Sequence, residues 1–202
     1  MLTIFLSSKL TLFQKVLQYD FRIMFWFNRS FSHPFFEKAA LFMRESIFHV
    51  PVYVFILLYV ILNFKKKGWW WILGGILLIG FSDFISSHFL KDYFNRPRPC
   101  RDPLMMNHIN FLAKYCGANG SFPSSHAVNH FAFATYSFVS LRKVVGYCWI
   151  LFIWAALICL SQVYVGVHYP LDILVGAILG SLFGYIGGRI ARQTLSLHQH
   201  AL

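Results

Sequence analysis

Long apolar runs joined by short polar segments dominate this chain. A helix that crosses the hydrocarbon core of a bilayer needs about 20 mostly apolar residues. Five runs approach that length: residues 50–64 with a start extended back to 46, and residues 69–90, 124–141, 144–167 and 171–188. We therefore predict an all-α fold, a polytopic membrane helix bundle with five transmembrane helices. Residues 1–202 are treated as one membrane-embedded domain.

Residues 12–42 are rich in aromatic side chains but carry too many charges for an ordinary span. The interrupting residues are Lys15, Asp20, Arg22, Arg29, Glu37 and Lys38. We predict that the N-terminal region, residues 1–45, forms an interfacial amphipathic helix or helix pair that leads into the first span. A sixth span in this region is the alternative.

The composition is that of a membrane protein. Hydrophobic residues make up 57% of the chain and charged residues 12%, whereas soluble domains carry about 25% charged residues. The net charge of +11 is gathered mostly in short clusters at the ends of apolar runs, a pattern that orients membrane proteins. We therefore expect the lipid bilayer, and no nucleic acid, as the partner of these basic residues.

The basic clusters predict an orientation in the membrane. Alternation of the spans places seven basic residues on one face: Lys65, Lys66, Lys67, Arg142, Lys143, Arg189 and Arg192. By the positive-inside rule this face, with the C-terminus, is cytoplasmic in a plasma (inner) membrane. The loop of residues 91–123 then faces the periplasm or exterior, yet it holds five basic residues against two acidic ones. That excess indicates an anionic ligand.

A stripe of glycines runs along the fifth predicted span. Its members, spaced every four residues, are Gly176, Gly180, Gly184 and Gly188. Small residues at this spacing allow two membrane helices to approach closely. We predict that the stripe serves packing and not chemistry.

Polar side chains that are costly in lipid fall into three clusters. They are Lys91 and Arg98 after the second span, Ser124, Ser125 and His126 at the start of the third, and His168 and Asp172 at the start of the fifth. The connections between spans two and three and between spans four and five lie on the same face. The three clusters can therefore meet, on the face that carries the 91–123 active-site loop.

The combination of these residue types predicts phosphoryl transfer. Lys91 and Arg98 suit phosphate oxygens, and a helix beginning after a proline and a serine offers free backbone N–H groups to an anion. His168 and Asp172 share a helical face at four-residue spacing. The carboxylate can then orient the imidazole while its other nitrogen attacks phosphorus. His126 is left as the proton donor to the departing oxygen.

Each of these signals has an ordinary structural explanation when taken singly. A histidine at the end of a span is commonly interfacial, and two serines after a proline commonly cap a helix. A metal site is the chemical rival, because His126 and His130 have a spacing that zinc sites use, although the motif lacks the glutamate of hydrolytic zinc helices. Asp83, inside the second span, is expected to be a structural residue bonded to serines or to His130.

Three linked motifs resemble those of a known family. They are Lys91-x6-Arg98-Pro99, then Pro123-Ser124-Ser125-His126, then Ser161-Gln162-x5-His168-x3-Asp172. Together they resemble the signature of the type 2 phosphatidic acid phosphatases, also called the lipid phosphate phosphatase and vanadium haloperoxidase superfamily. The resemblance covers residues 35–189.

The resemblance implies a membrane helix bundle that removes phosphate through a phosphohistidine, with neither metal nor other cofactor. It implies His168 as the nucleophile, Asp172 as its orienting carboxylate and His126 as the general acid. The implied phosphate-binding residues are Lys91, Arg98, Ser124, Ser125 and Gln162.

Two positions depart from the family pattern. Ser125 replaces the usual glycine of the second motif and keeps its backbone N–H. Gln162 replaces a phosphate-binding arginine and brings no charge, which could forfeit about 1–2 kcal/mol of phosphate stabilisation. Arg96 or Arg101 is the expected compensation, and we expect the Gln162→Arg variant to retain activity.

The four cysteines divide into two pairs. Cys148 and Cys159 lie in the fourth span and are predicted to be buried thiols. Cys100 and Cys116 lie in the predicted outward loop, where a disulfide is permitted. We hypothesise a bridge between them that braces Arg98.

The leading hypothesis is an integral membrane phosphatase that acts on a lipid phosphate or diphosphate at the non-cytoplasmic surface. Undecaprenyl diphosphate is the first choice of substrate, because compact members of the family often recycle that carrier. Phosphatidylglycerol phosphate, phosphatidate and lipid A phosphate are rivals. A lipid-to-lipid phosphotransferase of the same fold and a catalytically silent anion-binding membrane protein are the alternatives. The sequence carries no signal for an oligomeric state.

Overall fold

The computed structural model describes residues 11–195, and within that range the chain is helical with no strand. Its α-helices are α1 (Leu12–Phe25), α2 (Pro34–Arg44), α3 (Val50–Phe64), α4 (Lys66–Phe84), α5 (Lys91–Phe94), α6 (Ser125–Leu141), α7 (Ile150–Tyr164) and α8 (Pro170–Leu195). The all-α prediction is therefore confirmed. The outer ends of the predicted 1–202 domain lie outside the described residues.

Three helical segments are long and apolar enough to cross a membrane: Ser46–Phe64, Lys66–Phe94 and Pro170–Leu195. The first includes a short 3₁₀ turn ahead of α3, as the extension of the first span to residue 46 predicted. The predicted third and fourth spans correspond to shorter helices, α6 with 17 residues and α7 with 15.

The predicted boundary between the second span and the active-site loop is wrong. A π-helical turn, Ile85–Leu90, carries α4 into α5 without a break. Lys91 is therefore helical and buried, and the loop begins at Asn95, whose backbone adopts φ 41°. The boundary was placed at Lys91 because a charged residue after an apolar run usually marks the end of a membrane span. In the folded protein the helix continues and Lys91 is buried.

Helices α6 and α8 pack closely and run parallel. A Cβ atom on Gly176 would lie 2.8 Å from the carbonyl oxygen of Ser124, and one on Gly188 would lie 2.8 Å from the Cβ of Val139. Gly180 and Gly184 meet α6 backbone in the same way. The prediction that this stripe serves packing is confirmed. The contact brings the beginning of α8 against the beginning of α6.

Helix α4 runs antiparallel to α6. Near its start, the indole of Trp71 donates to the Ser140 hydroxyl at 2.8 Å, and near the other end Ser87 and Ser125 are hydrogen-bonded at 2.8 Å. The basic residues that precede α4 and follow α6 therefore lie at one end of the bundle. The loop that connects α5 to α6 lies at the opposite end.

The N-terminal region forms a helix pair, one of the two predicted forms. A π-helical turn extends α1 to Ser30, and α2 packs against α7. The amide of Asn28 donates to the carbonyls of Asn110 and Tyr164 at 2.8 and 2.7 Å and accepts from the Asn110 backbone at 2.7 Å. The pair is thus bonded to the active-site loop and to the end of α7, while its outer side exposes large apolar side chains.

Candidate active site

The beginning of α6 is tied directly to α8. Ser124 caps α6, its hydroxyl accepting from Ala127 at 3.5 Å, and its backbone N–H donates to the carbonyl of Asp172 at 3.0 Å. Ser124 and Asp172 are both fully buried. The second and third sequence motifs are therefore in contact, as their shared face predicted.

His168 lies against Asp172 at the start of α8. Nδ1 of the imidazole is 3.5 Å from Oδ2 of the carboxylate, which also accepts from the backbone N–H of Tyr169 at 2.9 Å. Burial lowers the pKa of His168 to about 4, although the neighbouring Asp172 raises it. The imidazole is consequently neutral at pH 7, with one nitrogen facing a carboxylate.

Arg98 faces the other nitrogen of the same imidazole. Its Nη1 atom is 3.3 Å from Nε2 of His168, while its Nε atom donates to the carbonyl of Asn119 at 3.0 Å. A Cβ on Gly117 would lie 3.2 Å from the guanidinium, so a larger residue there would displace Arg98 slightly. Nε2 of His168 therefore lies beside a cationic guanidinium.

The loop that carries Arg98 is closed by a disulfide. Cys100 is bonded to Cys116, as hypothesised, and Arg101 donates to the carbonyl of Cys116 at 3.1 Å. Cys148 and Cys159 are free and buried, as predicted.

Gln162 is buried beneath His168. Its carbonyl accepts from the backbone N–H groups of Val167 and His168 at 3.1 and 3.3 Å. Its side-chain Nε2 atom is buried and has no hydrogen-bond partner within residues 11–195. A buried donor without a partner costs free energy, so this amide is suited to a ligand oxygen.

Arg96 is engaged elsewhere and does not compensate for the missing arginine at position 162. Its guanidinium donates to Asp172 Oδ1 at 2.7 Å and to Asp20 Oδ2 at 2.6 Å. It also lies over the ring of Tyr169, 4.0 Å from the centroid. Arg101 is bonded to the carbonyl of Cys116, so the two arginines that were expected to replace the missing charge both have other partners.

Asp20 is the residue that the sequence reasoning missed. It is almost fully buried, binds Arg96, and accepts from the backbone N–H of Leu171 at 2.7 Å. Burial raises the pKa of Asp20, and the hydrogen bond from Arg96 opposes this. The one indication in the sequence was that Asp20 is the single acidic residue of the amphipathic helix α1.

Ser125 and Asp83 belong to one hydrogen-bonded chain. Ser87 bonds both Ser125, at 2.8 Å, and a carboxylate oxygen of Asp83, at 3.2 Å, and Asn129 donates to the same oxygen at 2.8 Å. The prediction that Asp83 bonds serines is confirmed. The other side chain that bonds Asp83 is the amide of Asn129, whereas His130 bonds elsewhere.

His126 and His130 stack with their ring centroids 6.2 Å apart. Nδ1 of His130 donates to the carbonyl of His126 at 2.8 Å, and Nε2 lies 3.4 Å from the Tyr53 hydroxyl. Within residues 11–195 no group of three or more His, Cys, Asp or Glu side chains is placed to hold a metal ion.

His168 and Lys91 are among the electrostatic neighbours of His126, so all three motifs converge.

This helical bundle with its converging histidines and cations matches the PAP2 superfamily model over residues 68–194. The chain belongs to the PAP2 superfamily and is a membrane lipid phosphate phosphatase. It is 28% identical over 179 residues to a lipid A 4'-phosphatase of Bacteroides thetaiotaomicron, covering 86% of this chain and 77% of that protein.

Two further comparisons agree with this assignment. The chain is 30% identical over 172 residues to phosphatidylglycerophosphatase B of Bacillus subtilis, covering 74% of this chain and 78% of that protein. Its fold is similar, with a TM-score of 0.69 and 22% identity, to the crystal structure of a transmembrane PAP2 type phosphatidylglycerolphosphate phosphatase from Bacillus subtilis, covering 89% of this chain and 88% of the other.

Proposed function

We propose that the protein hydrolyses a lipid phosphate or diphosphate through a phosphohistidine on His168, without a metal ion. The observation that carries the proposal is the position of the His168 imidazole between a carboxylate on Nδ1 and a guanidinium on Nε2. A neutral imidazole with its N–H toward Asp172 presents a lone pair at Nε2. Arg98 marks where the negatively charged phosphoryl group binds.

In the first step Nε2 of His168 attacks phosphorus, and the bond from phosphorus to the leaving oxygen breaks; that oxygen is the ester oxygen of a monophosphate or the bridging oxygen of a diphosphate. His126 gives a proton to the departing oxygen, and Asp172 stabilises the imidazolium character that develops on His168. Water then attacks phosphorus, His126 takes back a proton, and the P–N bond breaks to release inorganic phosphate. The histidine returns to its neutral form.

The remaining predicted residues form the phosphate site. Lys91 and Arg98 supply charge, and the backbone N–H of Ser125 and the amide of Gln162 supply neutral donors. Ser124 and the start of α6 orient those donors toward the anion. The buried Nε2 atom of Gln162, without a partner within residues 11–195, supports this role.

The membrane setting is part of the proposal. Helices α3 to α8 supply five spans, α4 and α5 together forming the second, in a plasma (inner) membrane, and the basic end of the bundle is cytoplasmic. The active site then lies at the periplasmic or exterior surface, with the C-terminus on the cytoplasmic side. The Cys100–Cys116 disulfide supports an oxidising compartment for the loop.

The substrate lies among lipids whose phosphate reaches that surface. Undecaprenyl diphosphate is the lipid that the compact sequence favours. A lipid A phosphate is the second candidate, because the similarity to the lipid A 4'-phosphatase extends over 86% of this chain.

Phosphate release from purified protein tests the reaction. Wild type and the His168→Ala variant are compared on both lipids, on phosphatidylglycerol phosphate and on phosphatidate, with chelator present and no acceptor lipid. The His88→Ala variant, at an exposed histidine in the turn after α4, is the matched control. We expect release by wild type and control and none by His168→Ala.

Other outcomes would contradict the proposal. Release only with an acceptor lipid identifies a phosphotransferase. Release abolished by chelator returns the metal hypothesis for His126 and His130. Activity in His168→Ala, or none in folded wild type, rejects the phosphohistidine reaction.

A further inference from the structure

A polar cavity adjoins the predicted proton donor. Its volume is about 280 Å³, and nine of its ten lining side chains are polar. Ser125 and His126 form part of its wall, together with residues of α2, α3, α4 and α7. The cavity is near the lower limit of about 300 Å³ for small-molecule sites. It is large enough for one small polar unit.

Two of the three histidines that line the cavity, His49 and His130, have both ring nitrogens hydrogen-bonded by the protein. His49 receives the indole N–H of Trp154 on Nδ1 at 3.1 Å, and its Nε2 is 2.9 Å from the carbonyl of Met43. The indole only donates and the carbonyl only accepts, so the imidazole is neutral with its proton on Nε2. His130 is bonded through both nitrogens in the same manner, to a carbonyl and to a tyrosine hydroxyl.

Two buried polar atoms of the lining residues remain without partners among residues 11–195. One is Nη1 of Arg44, a donor, and the other is Oδ1 of Asn129, an acceptor. The orientation of the Asn129 amide is fixed because its Nδ2 atom donates to the carboxylate of Asp83. A ligand that satisfies both atoms must accept a hydrogen bond from Arg44 and donate one to Asn129.

In the proposed reaction His126 delivers its proton to the oxygen that leaves phosphorus, so the group attached to that oxygen lies next to His126. The cavity that His126 lines is then adjacent to the leaving group. Burial lowers the pKa of Arg98, and the positive charge of Arg44 lowers it further, which places Arg44 within electrostatic range of the phosphate site.

We propose that the cavity binds the substrate's leaving group, and that this group carries a free hydroxyl, as a sugar or a glycerol unit does. A hydroxyl donates to Asn129 Oδ1, and a neighbouring oxygen accepts from Arg44. The leaving group of a prenyl diphosphate is a phosphate, which offers acceptors alone. That of phosphatidate is a fully esterified glycerol, which has no hydroxyl. The inference rests on the proposed function and names the substrate class of the same site, and it reverses the order of candidates by placing a hydroxylated leaving group ahead of undecaprenyl diphosphate.

The test is a ratio of kcat/KM values in one preparation, which cancels differences in folded fraction. The numerators are kcat/KM for a lipid A-type glycolipid phosphate and for phosphatidylglycerol phosphate, and the denominator is kcat/KM for phosphatidate. A prenyl diphosphate is assayed beside them. We expect a ratio above one in wild type for at least one numerator. Loss of a buried hydrogen bond should lower it about ten-fold in Arg44→Gln and in Asn129→Leu. Arg142→Gln, an exposed arginine beyond α6, leaves the ratio unchanged.

The outcomes separate this inference from the proposed function. A fall in the glycolipid ratio alone identifies a sugar, and a fall in the phosphatidylglycerol phosphate ratio alone identifies glycerol. Ratios unchanged in both variants, or a wild type that prefers a prenyl diphosphate, would overturn the hydroxylated leaving group while His168-dependent hydrolysis stands. Absence of phosphate release from every lipid rejects the proposed function itself.

Discussion

Arg96 holds the carboxylate of Asp172 at 2.7 Å, and the second carboxylate bound to Arg96 comes from the N-terminal helix. Asp20 is more than 140 residues before Asp172, yet it reaches the same guanidinium and the first turn of α8. The amphipathic helix α1 is therefore part of the support of the active site. Its removal or displacement would leave Arg96 with one carboxylate and Asp172 less firmly oriented.

Asp20→Asn should impair both stability and catalysis. Removing one partner of a buried ion pair typically costs about 3–5 kcal/mol, so we expect a lower unfolding temperature. Because Asp20 acts through Arg96 and does not touch the phosphate, kcat should fall about ten-fold with KM nearly unchanged. Asp92→Asn, at an exposed aspartate of α5, is the control. A variant with a raised KM and normal kcat would contradict a positioning role.

On the acid side of the pH profile, activity should show no histidine-dependent loss between pH 7 and 6. Burial lowers the pKa of His168 to about 4, with Arg98 adding to the effect and Asp172 opposing it. The nucleophile then stays neutral from pH 8 down to about 5. The measurement is kcat/KM as a function of pH, corrected for the second ionisation of the substrate's phosphate, which has a pKa of about 6. An enzyme-derived loss of activity centred on 6.5 as the pH is lowered would contradict it, whereas a loss as the pH is raised reflects deprotonation of the proton donor His126.

The same group should make the protein less stable in acid. The unfolded chain binds a proton on this histidine near pH 6.5, whereas the folded chain does so only near 4. The folded state's preference for a neutral His168 therefore has no cost above pH 6.5, and it lowers the free energy of unfolding progressively as the pH falls from 6.5 toward 4. Thermal unfolding should show a smaller decline over that interval in His168→Gln than in wild type.

Gln162→Leu should lower kcat/KM, because the buried Nε2 atom would no longer be available to a phosphate oxygen. Loss of one neutral hydrogen bond of about 1 kcal/mol corresponds to roughly a five-fold fall. Gln162→Arg should retain activity, since the guanidinium can donate to the same oxygens. A folded but inactive Gln162→Arg variant would show that the amide has a role of its own.

Gly180→Ala should separate α6 from α8. A Cβ at this position would overlap the backbone carbonyl of Val128, which cannot move aside because it belongs to helix α6. Overpacking of this kind costs about 1–3 kcal/mol or more, so the variant should unfold earlier and lose activity. Gly80→Ala should do neither, because an added Cβ there has no heavy atom of residues 11–195 within 4 Å apart from its chain neighbours and its own helix backbone. Equal behaviour of the two would contradict the packing argument.

Removal of the disulfide should loosen Arg98. Closing a loop of this length stabilises a fold by about 3 kcal/mol, and Cys116 precedes the glycine that lies against the guanidinium. Cys100→Ser should therefore raise KM for the lipid phosphate and lower the unfolding temperature. Cys159→Ser, at a buried free thiol, tests for a general effect of losing a cysteine. A normal KM in Cys100→Ser would separate the bridge from Arg98.

The sequence by itself determined the helical bundle, the packing role of the glycine stripe and the three clusters that meet. These follow from local properties, because hydropathy, four-residue spacing and alternation of spans act through neighbours along the chain. The pairing of Cys100 with Cys116 followed likewise from the shared loop. Motif spacing was sufficient to group His168 with Asp172.

Only the tertiary structure decided which charges are partners. Asp20 and Arg96 are 76 residues apart, and no periodicity joins them; their pairing depends on where α1 docks. Lys91 is enclosed because a π turn continues the helix past the apolar run. Only the folded structure shows that one buried atom of Arg44 and one of Asn129 have no hydrogen-bond partner within residues 11–195. Side-chain pairing between distant segments depends on packing of the whole bundle, which local sequence patterns do not encode.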